Sequence, residues 1–236
     1  MFAEADFIVP ESPASSFTFR KAQRDDKDRL KELHEICLPV RYGDSFYRQV
    51  TSPKTSLYTV VCVDRGLIVG AAVARVESQW RARERGLVMC SLEGKDLLYI
   101  MTLVVDPAYR KRSIGSRLVE ALSSQVPQSV KAIYLHVLDT NEGAVRFYEA
   151  NNFQQIKKLK AFYRIESKLC DSYVYRIYIN DGKPPPNNLH TRCQQCAFCL
   201  SDTCPFVEDI PMCLYMYNNL MSDVFSWFMR KFSITP

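Results

Sequence analysis

Apolar positions repeat along this chain with two periods, and the switches between them lay out its elements. Residues 16–20 alternate as a short strand. Leu30, Leu33, Ile36 and Cys37 then recur at helical spacing behind a candidate cap at Asp25 or Asp26, and Pro39 ends that helix. Residues 57–64 and 67–76 are β-branched apolar runs joined by Arg65-Gly66, the sequence form of a tight hairpin. Residues 77–95, rich in Arg, Glu and Gly, read as an exposed loop. Residues 97–105 form the next apolar strand, followed by a cationic turn and a helix carrying Leu118, Val119 and Leu122. A strand over 132–138, a short helix over 141–151, and a closing hairpin of 159–165 with 173–179 complete the pattern. The order β, α, β, β, β, α, β, α, β, β predicts an α/β fold, a mixed and mostly antiparallel sheet flanked by helices.

The periodic region has clear borders. Residues 1–16 carry Pro, Ser and Glu without periodicity and read as a flexible lead-in. They have no basic n-region and no long apolar run, so neither a signal nor a transit peptide is expected there. The catalytic-type domain is expected over 17–182. Lys183-Pro184-Pro185-Pro186 opens a Pro- and Cys-rich linker over 183–209, and 210–236 form an amphipathic segment.

Composition narrows the functional classes. The net charge is only +5 with basic residues scattered, so the footprint of a nucleic-acid binder is missing. Of the 9 cysteines, Cys37, Cys62, Cys90 and Cys170 stand singly and read as small hydrophobes in a reducing compartment. Cys193, Cys196, Cys199, Cys204 and Cys213 crowd together beyond the linker. Their spacing misses the bacterial iron–sulfur pattern by one residue in its last gap and lacks the two separated knuckles of most structural zinc sites, leaving metal binding and lipid attachment both open; no metal is expected in the catalytic domain.

The strand, the turn Arg110-Lys111-Arg112-Ser113-Ile114-Gly115-Ser116 and the helix place free backbone N–H groups beside three cationic side chains. That arrangement suits a pyrophosphate, although a solvated cationic turn would read the same way. The motif resembles the acetyl-CoA loop of GNAT acetyltransferases, Q/R-x-x-G-x-G/A, with Arg110 and Gly115 at its first and last positions and Ser113 where the family has glycine. If that position is left-handed, a Cβ there costs roughly 1–2 kcal/mol and weakens the cofactor site. Downstream, Tyr134-Leu135-His136-Val137-Leu138 followed by Asn141, Ala144 and Tyr148 is similar to the second GNAT signature, while Phe147 and Tyr148 could equally be core aromatics.

The likeness is closer to the Golgi-associated, NatF-type protein N-terminal acetyltransferases. It is carried by Leu98-Tyr99-Ile100, by the strand from Lys131 to Leu138, by Pro39-Val40-Arg41-Tyr42-Gly43-Asp44-Ser45-Phe46-Tyr47 and by Tyr178-Ile179-Asn180-Asp181-Gly182, and it spans about 17–182. It implies a GNAT fold, acetyl-CoA as co-substrate, and protein N-termini beginning with Met and an apolar residue or Lys as acceptors, membrane proteins among them. The resemblance implies Tyr99 and His136 as the catalytic pair, with Leu38, Tyr42, Met101, Phe162 and Tyr163 along the peptide groove. For acetyl-CoA it implies Leu103, Val104, Val105, Arg110 through Ser116, Asn141, Tyr148, Glu149, Ala150 and Asn151. Arg41 departs from the acidic residue such enzymes carry in the peptide loop.

The chemistry fits an α-amine. A thioester is attacked by a neutral amine, and with a pKa of about 7.7–8.0 roughly a tenth of N-terminal amines are neutral at pH 7, against on the order of one in a thousand lysines. A modest base suffices, and histidine is the side chain that changes charge near neutrality. Of three histidines only His136 lies inside an apolar strand, where a buried, satisfied histidine is the plainer reading. A lysine or histone acetyltransferase, and a GNAT scaffold impaired through Ser113 and Arg41, are the alternatives.

Residues 210–232 place Leu214, Tyr217, Met221, Val224, Phe225, Phe228 and Phe232 at helical spacing, with Asn218, Asn219 and Asp223 opposite. A central Asp costs about 2.5–3.5 kcal/mol in a spanning helix. A helix lying in the interface fits better, anchored further by palmitoylation within 193–213, on the cytosolic face of the Golgi or another endomembrane. Packing on the catalytic core is the other reading. The chain is expected as a monomer or weak homodimer.

Overall fold

The structure is a computed structural model that describes residues 17–79, 82, 84, 87, 96–165 and 167–184. Along the chain the elements are β1 (Thr18–Lys21), α1 (Lys27–Cys37), α2 (Asp44–Val50), β2 (Leu57–Asp64), β3 (Leu67–Ser78), β4 (Asp96–Val105), α3 (Ile114–Ser123), β5 (Val130–Leu138), α4 (Glu142–Ala150), β6 (Gln154–Ile165) and β7 (Lys168–Tyr178). One sheet orders them β1-β2-β3-β4-β5-β7-β6. Every pairing is antiparallel except β4 with β5. The expected mixed, mostly antiparallel sheet with flanking helices is the architecture observed.

Local chemistry explains several element borders. Arg65 and Gly66 both have positive φ, 48° and 82°. These are the dihedrals of the two-residue turn that matches the twist of β2 and β3. Leu38 takes an extended conformation and its N–H caps α1 on His34 O, so Pro39 follows a helix already closed. Asp26 precedes α1, but its carboxylate is used on the entering chain: it accepts from the Gln23 N–H at 2.7 Å and from both terminal nitrogens of Arg20. Burial works against that charge, and the Arg20 and Gln23 hydrogen bonds outweigh it, so the carboxyl titrates below the usual range.

Both faces of the sheet are covered. Leu118, Leu122, Ile114 and Val119 of α3 pack with Leu98 and Ile100 of β4 and Leu135 of β5. Burying each such leucine or isoleucine contributes roughly 1.5–3 kcal/mol. On the opposite face Leu30 and Leu33 of α1 and Tyr47 and Val50 of α2 pack on Val61, Ala71 and Val73.

Three expectations need correction. Helix α2 is missing from the expected order, which assigns no element to residues 44–50; they show only Phe46, Tyr47 and Val50 as an apolar face, too short a run to register as periodic. Strands β6 and β7 each start five residues before the expected 159 and 173, because β6 is an exposed, lysine-rich edge without alternation. Residues 77–95 are not simply an exposed loop: β3 continues to Ser78, and Gln79, Ala82, Glu84 and Leu87 are buried. The linker and amphipathic segment, residues 185–236, lie outside the described residues. Among the described residues no helix is long and apolar enough to cross a membrane, and no His, Cys, Asp and Glu group could hold a metal.

Candidate active site

The centre of the sheet opens where β4 and β5 separate. Their parallel pairing runs from Asp96–Val130 to Tyr99–Tyr134 and is not continued beyond that pair. On its other side β4 carries a bulge: Val73 pairs Thr102 and Ala74 pairs Ile100, so Met101 is an extra residue. Leu97 and Tyr99 belong to one apolar cluster, with Ala82, Leu87 and Tyr134, while Met101 belongs to another, with Leu38, Tyr42 and Phe46. Tyr99 and Met101 therefore stand at the seam between two covers, beside the gap in the sheet.

Across that gap His136 projects from β5. Its Nδ1 lies 3.2 Å from the Tyr99 hydroxyl and its Nε2 lies 3.0 Å from Oε1 of Glu84. Glu84 Oε2 is held at 2.6 Å by Lys157 of β6. A carboxylate accepts only, so in the neutral ring the proton sits on Nε2 and the Nδ1 lone pair accepts from Tyr99. Burial opposes the charge on Glu84, but the His136 and Lys157 contacts outweigh it and hold its carboxyl below the usual range. The His136 side chain is only 1% exposed. Tyr99 is half-buried, so the imidazole is the more enclosed of the two groups.

Tyr99 rests on a polar bracket. Its ring lies 4.9 Å from that of Tyr134, and the Arg75 guanidinium stands 5.2 Å over its face. Tyr134 donates to Glu77 Oε2 at 2.5 Å, and Glu77 also takes Arg75 Nε. Burial, then Glu77, pushes the Tyr134 phenol far above its usual range, so it stays a donor.

The expected peptide residues line both sides of the seam. Phe162 stacks on His136 with centroids 4.2 Å apart and planes 17° from parallel, and Tyr163 donates to the His136 carbonyl at 3.2 Å. On the other side Tyr42 stacks on Phe46 at 4.3 Å, and both flank the ring of His34. Leu38 and Met101 share that cluster.

The expected acetyl-CoA residues divide into two groups. Leu103, Val104 and Val105 lie on the part of β4 beyond its pairing with β5, and the turn after them leads into α3. The first bond of α3 runs from Arg117 N to Ser113 O, so the earlier N–H groups lie outside the helix ladder. Ser113 is left-handed at φ 58° and ψ 9°, and Lys111 also has positive φ, 61°. Arg110 Nε donates to Val105 O, and Arg112 lies over the Tyr109 ring. A Cβ on Gly115 would stand 2.9 Å from Phe147, so this glycine lets α4 close on the start of α3. Ile114 is buried beneath the turn, and Ser116 follows it on the first helical turn. Asn141 caps α4 through Ala144 N, and Tyr148 is buried among Phe147, Phe153 and Tyr175, its phenol pushed up by burial. By contrast Glu149 accepts from Tyr175, Asn151 donates to Phe147 O, and Ala150 lies with them at the far end of α4.

Sequence reasoning missed Glu84, Lys157, Arg75, Glu77 and His34. Glu84 sits in an Arg- and Glu-rich run, and only its partner 52 residues away distinguishes it. His34 was read as one helix position among others. It is buried, with Nε2 3.3 Å from Thr102 Oγ1, and burial lowers its pKa to about 4.

Similarity to known proteins agrees with this geometry. Residues 27–153 match the Acetyltransferase (GNAT) family. The chain is 39% identical to N-alpha-acetyltransferase 60 of Xenopus tropicalis over 168 residues, 68% of this chain and 69% of that one. It is 37% identical to N-alpha-acetyltransferase 60 of Danio rerio over 185 residues, 75% and 76% of the two chains. Crystal structures of Arabidopsis thaliana NAA60, with acetyl-CoA and with a bisubstrate analogue, superpose with a TM-score of 0.65 at 28% identity, covering 70% of this chain and 99% of theirs. The chain belongs to the GNAT acetyltransferase family, as an acetyl-CoA-dependent N-alpha-acetyltransferase of the 60 type.

Proposed function

We propose that the protein transfers acetyl from acetyl-CoA to the α-amino group of Met-initiated protein N-termini, with Tyr99 and His136 handling the acceptor's proton. The observation that carries this reading is the line from Tyr99 through His136 to Glu84, placed where β4 and β5 part. The site fits acetyl-CoA: free N–H groups at the start of α3 and the cations Arg110, Lys111 and Arg112 suit its pyrophosphate. Leu103, Val104 and Val105 pair with β3 on one side and are left without β5 on the other, and that open side suits the amides of its pantetheine arm.

The Tyr99 hydroxyl takes a proton from the incoming ammonium while passing its own to His136 Nδ1, and Glu84 fixes the tautomer that leaves Nδ1 open. The neutral amine attacks the thioester carbonyl, a C–N bond forms and the C–S bond breaks. As the tetrahedral centre collapses, the second amine proton passes to solvent water and the departing sulfur takes a proton in exchange, so CoA leaves as the thiol. Tyr148, kept protonated by burial, suits donation to the departing sulfur.

Leu38, Tyr42 and Met101 suit the first Met side chain, and Phe162 and Tyr163 the peptide beyond it. Arg41 disfavours Lys at the second residue and leaves apolar or acidic residues. The amphipathic residues 210–232, with palmitoylation within 193–213, suit work at a cytosolic endomembrane surface on membrane-protein N-termini.

The test is acetyl transfer by the purified protein to a free-N-terminal Met-Leu peptide, beside an N-terminally blocked Lys peptide and a His136→Ala control. Activity on the free terminus that falls with the control supports the reading. Activity on the blocked Lys peptide alone overturns it in favour of a lysine acetyltransferase. No activity on either peptide, with acetyl-CoA still bound, overturns it in favour of an impaired scaffold.

A further inference from the structure

Strand β6 reaches the site only by breaking its own ladder. Leu159 pairs Ser172 and Tyr163 pairs Cys170, so β6 uses four steps where β7 uses two. The two extra residues fall within 160–162, and Ala161 in that stretch is left-handed at φ 52°, a region that L-residues avoid. Phe162 and Tyr163 follow immediately, one stacked on the His136 ring and the other bonded to the His136 carbonyl. The aim of both rings thus depends on a backbone conformation that alanine does not favour.

One residue opposite the loop supplies what holds it. Asp171 of β7 accepts from the Ala161 N–H at 3.0 Å through Oδ1, satisfying a donor the broken ladder leaves out. Through Oδ2 it takes Lys158 at 3.1 Å, and Lys158 also binds Asp139 at 2.9 Å. The Asp171 carbonyl accepts from Asp139 N as well. Asp139 lies two residues before Asn141, the cap of α4. The Ala161 N–H, then Lys158, holds the Asp171 carboxyl below its usual range, so it is charged throughout the neutral region.

We propose that Asp171 is a positioning residue for the acceptor peptide: its carboxylate locks Ala161 in the left-handed loop that presents Phe162 and Tyr163 to the site, and Lys158 ties that loop to the β5–α4 turn through Asp139. This rests on the reading of Phe162 and Tyr163 as peptide contacts. Without the carboxylate Ala161 relaxes toward extended backbone, the loop shortens and the two rings leave His136. The acetyl-CoA residues on β4 and α3 are untouched.

The experiment compares full-length Asp171→Ala, Asp171→Asn, Ala161→Gly, the double variant Asp171→Ala with Ala161→Gly, and Phe162→Ala, measuring KM for peptide, KM for acetyl-CoA, kcat and Tm. Asp171→Ala is expected to raise peptide KM about ten-fold while acetyl-CoA KM stays within about two-fold. Asp171→Asn, which keeps an acceptor for the Ala161 N–H, is expected within about three-fold of wild type. Ala161→Gly removes the penalty on positive φ, so the double variant is expected to recover most of the lost peptide KM. An unchanged peptide KM in Asp171→Ala overturns the proposal, as does a loss shared equally by both substrates that glycine does not restore. Phe162→Ala separates the two ideas: no effect on peptide KM sinks the hairpin's role in peptide binding. A clear effect there beside a silent Asp171→Ala sinks only the positioning.

Discussion

Oε1 of Glu84 stands 3.0 Å from Nε2 of His136, and the two side chains are 5% and 1% exposed. A buried carboxylate on one nitrogen fixes the tautomer, and here it leaves the Nδ1 lone pair to Tyr99, the arrangement the proposed proton transfer uses. Glu84→Gln keeps an acceptor but loses the charge that Lys157 also binds. It is expected to lower kcat about ten-fold, and Glu84→Ala on the order of a hundred-fold, within what a positioned base supplies. Steady-state kinetics with Tm recorded alongside checks this; a kcat that stays at the wild-type value in both variants would mean that Glu84 only packs.

His34 makes a separate, pH-dependent contribution. Burial lowers its folded pKa to about 4, below the ordinary value of about 6.5. A histidine depressed on folding binds fewer protons in the native state, so stability is complete above about pH 6.5 and falls as pH drops toward 4. At pH 5 the loss is about 2 kcal/mol. The measurement is urea unfolding from pH 7 to pH 4.5 for wild type and His34→Gln, which keeps a partner for Thr102 without titrating. The variant's curve is expected to be flatter by that amount; parallel curves would assign the acid sensitivity elsewhere.

Ser113 bears on whether the cofactor turn is impaired. Ser113 is left-handed in the turn that opens α3, a conformation whose Cβ cost the folded chain carries wherever that turn is formed. Ser113→Gly is expected to stabilise the protein by up to ~1 kcal/mol, a Tm gain of about 2–4 °C. Its KM for acetyl-CoA is expected to stay within about two-fold of wild type. A ten-fold tighter KM in the glycine variant would show instead that the serine impairs the site.

Much of this was legible in the residues, and the exceptions share a cause. Strands β2 to β5 and helices α1, α3 and α4 declare themselves because each buries a regular apolar face. Tyr99, His136 and Met101 sit on such elements, so placing the strands placed them. Glu84 and Lys157 are polar residues in an irregular segment and on an exposed edge, where no local pattern constrains them. Glu84 finds its partners in His136 and Lys157, both more than fifty residues away in sequence, so no local pattern announces the contact. The left-handed Ala161 is equally silent, since alanine carries no turn signal.

The charges that flank the proposed peptide groove set the last prediction. Arg41 on one side and Lys160 and Arg164 on the other are exposed, and none forms an ion pair with a carboxylate among the described residues. Neither residues 38–43 nor 159–165 contain an acid. Each exposed pair with a peptide carboxylate is worth about 0.2–1 kcal/mol, so two or three of them give roughly a ten-fold preference. Met-Glu-Glu peptides are therefore expected to exceed Met-Lys-Lys peptides in kcat/KM by about that factor at 50 mM salt. The gap should narrow at 500 mM, as a Debye length of a few ångströms screens exposed charges. Arg41→Glu should shrink the preference about three-fold by raising the rate on the lysine peptide, without altering Met-Leu-Leu. A preference for the lysine peptide at both salt concentrations would mean that the acceptor leaves the site along a path these cations do not border.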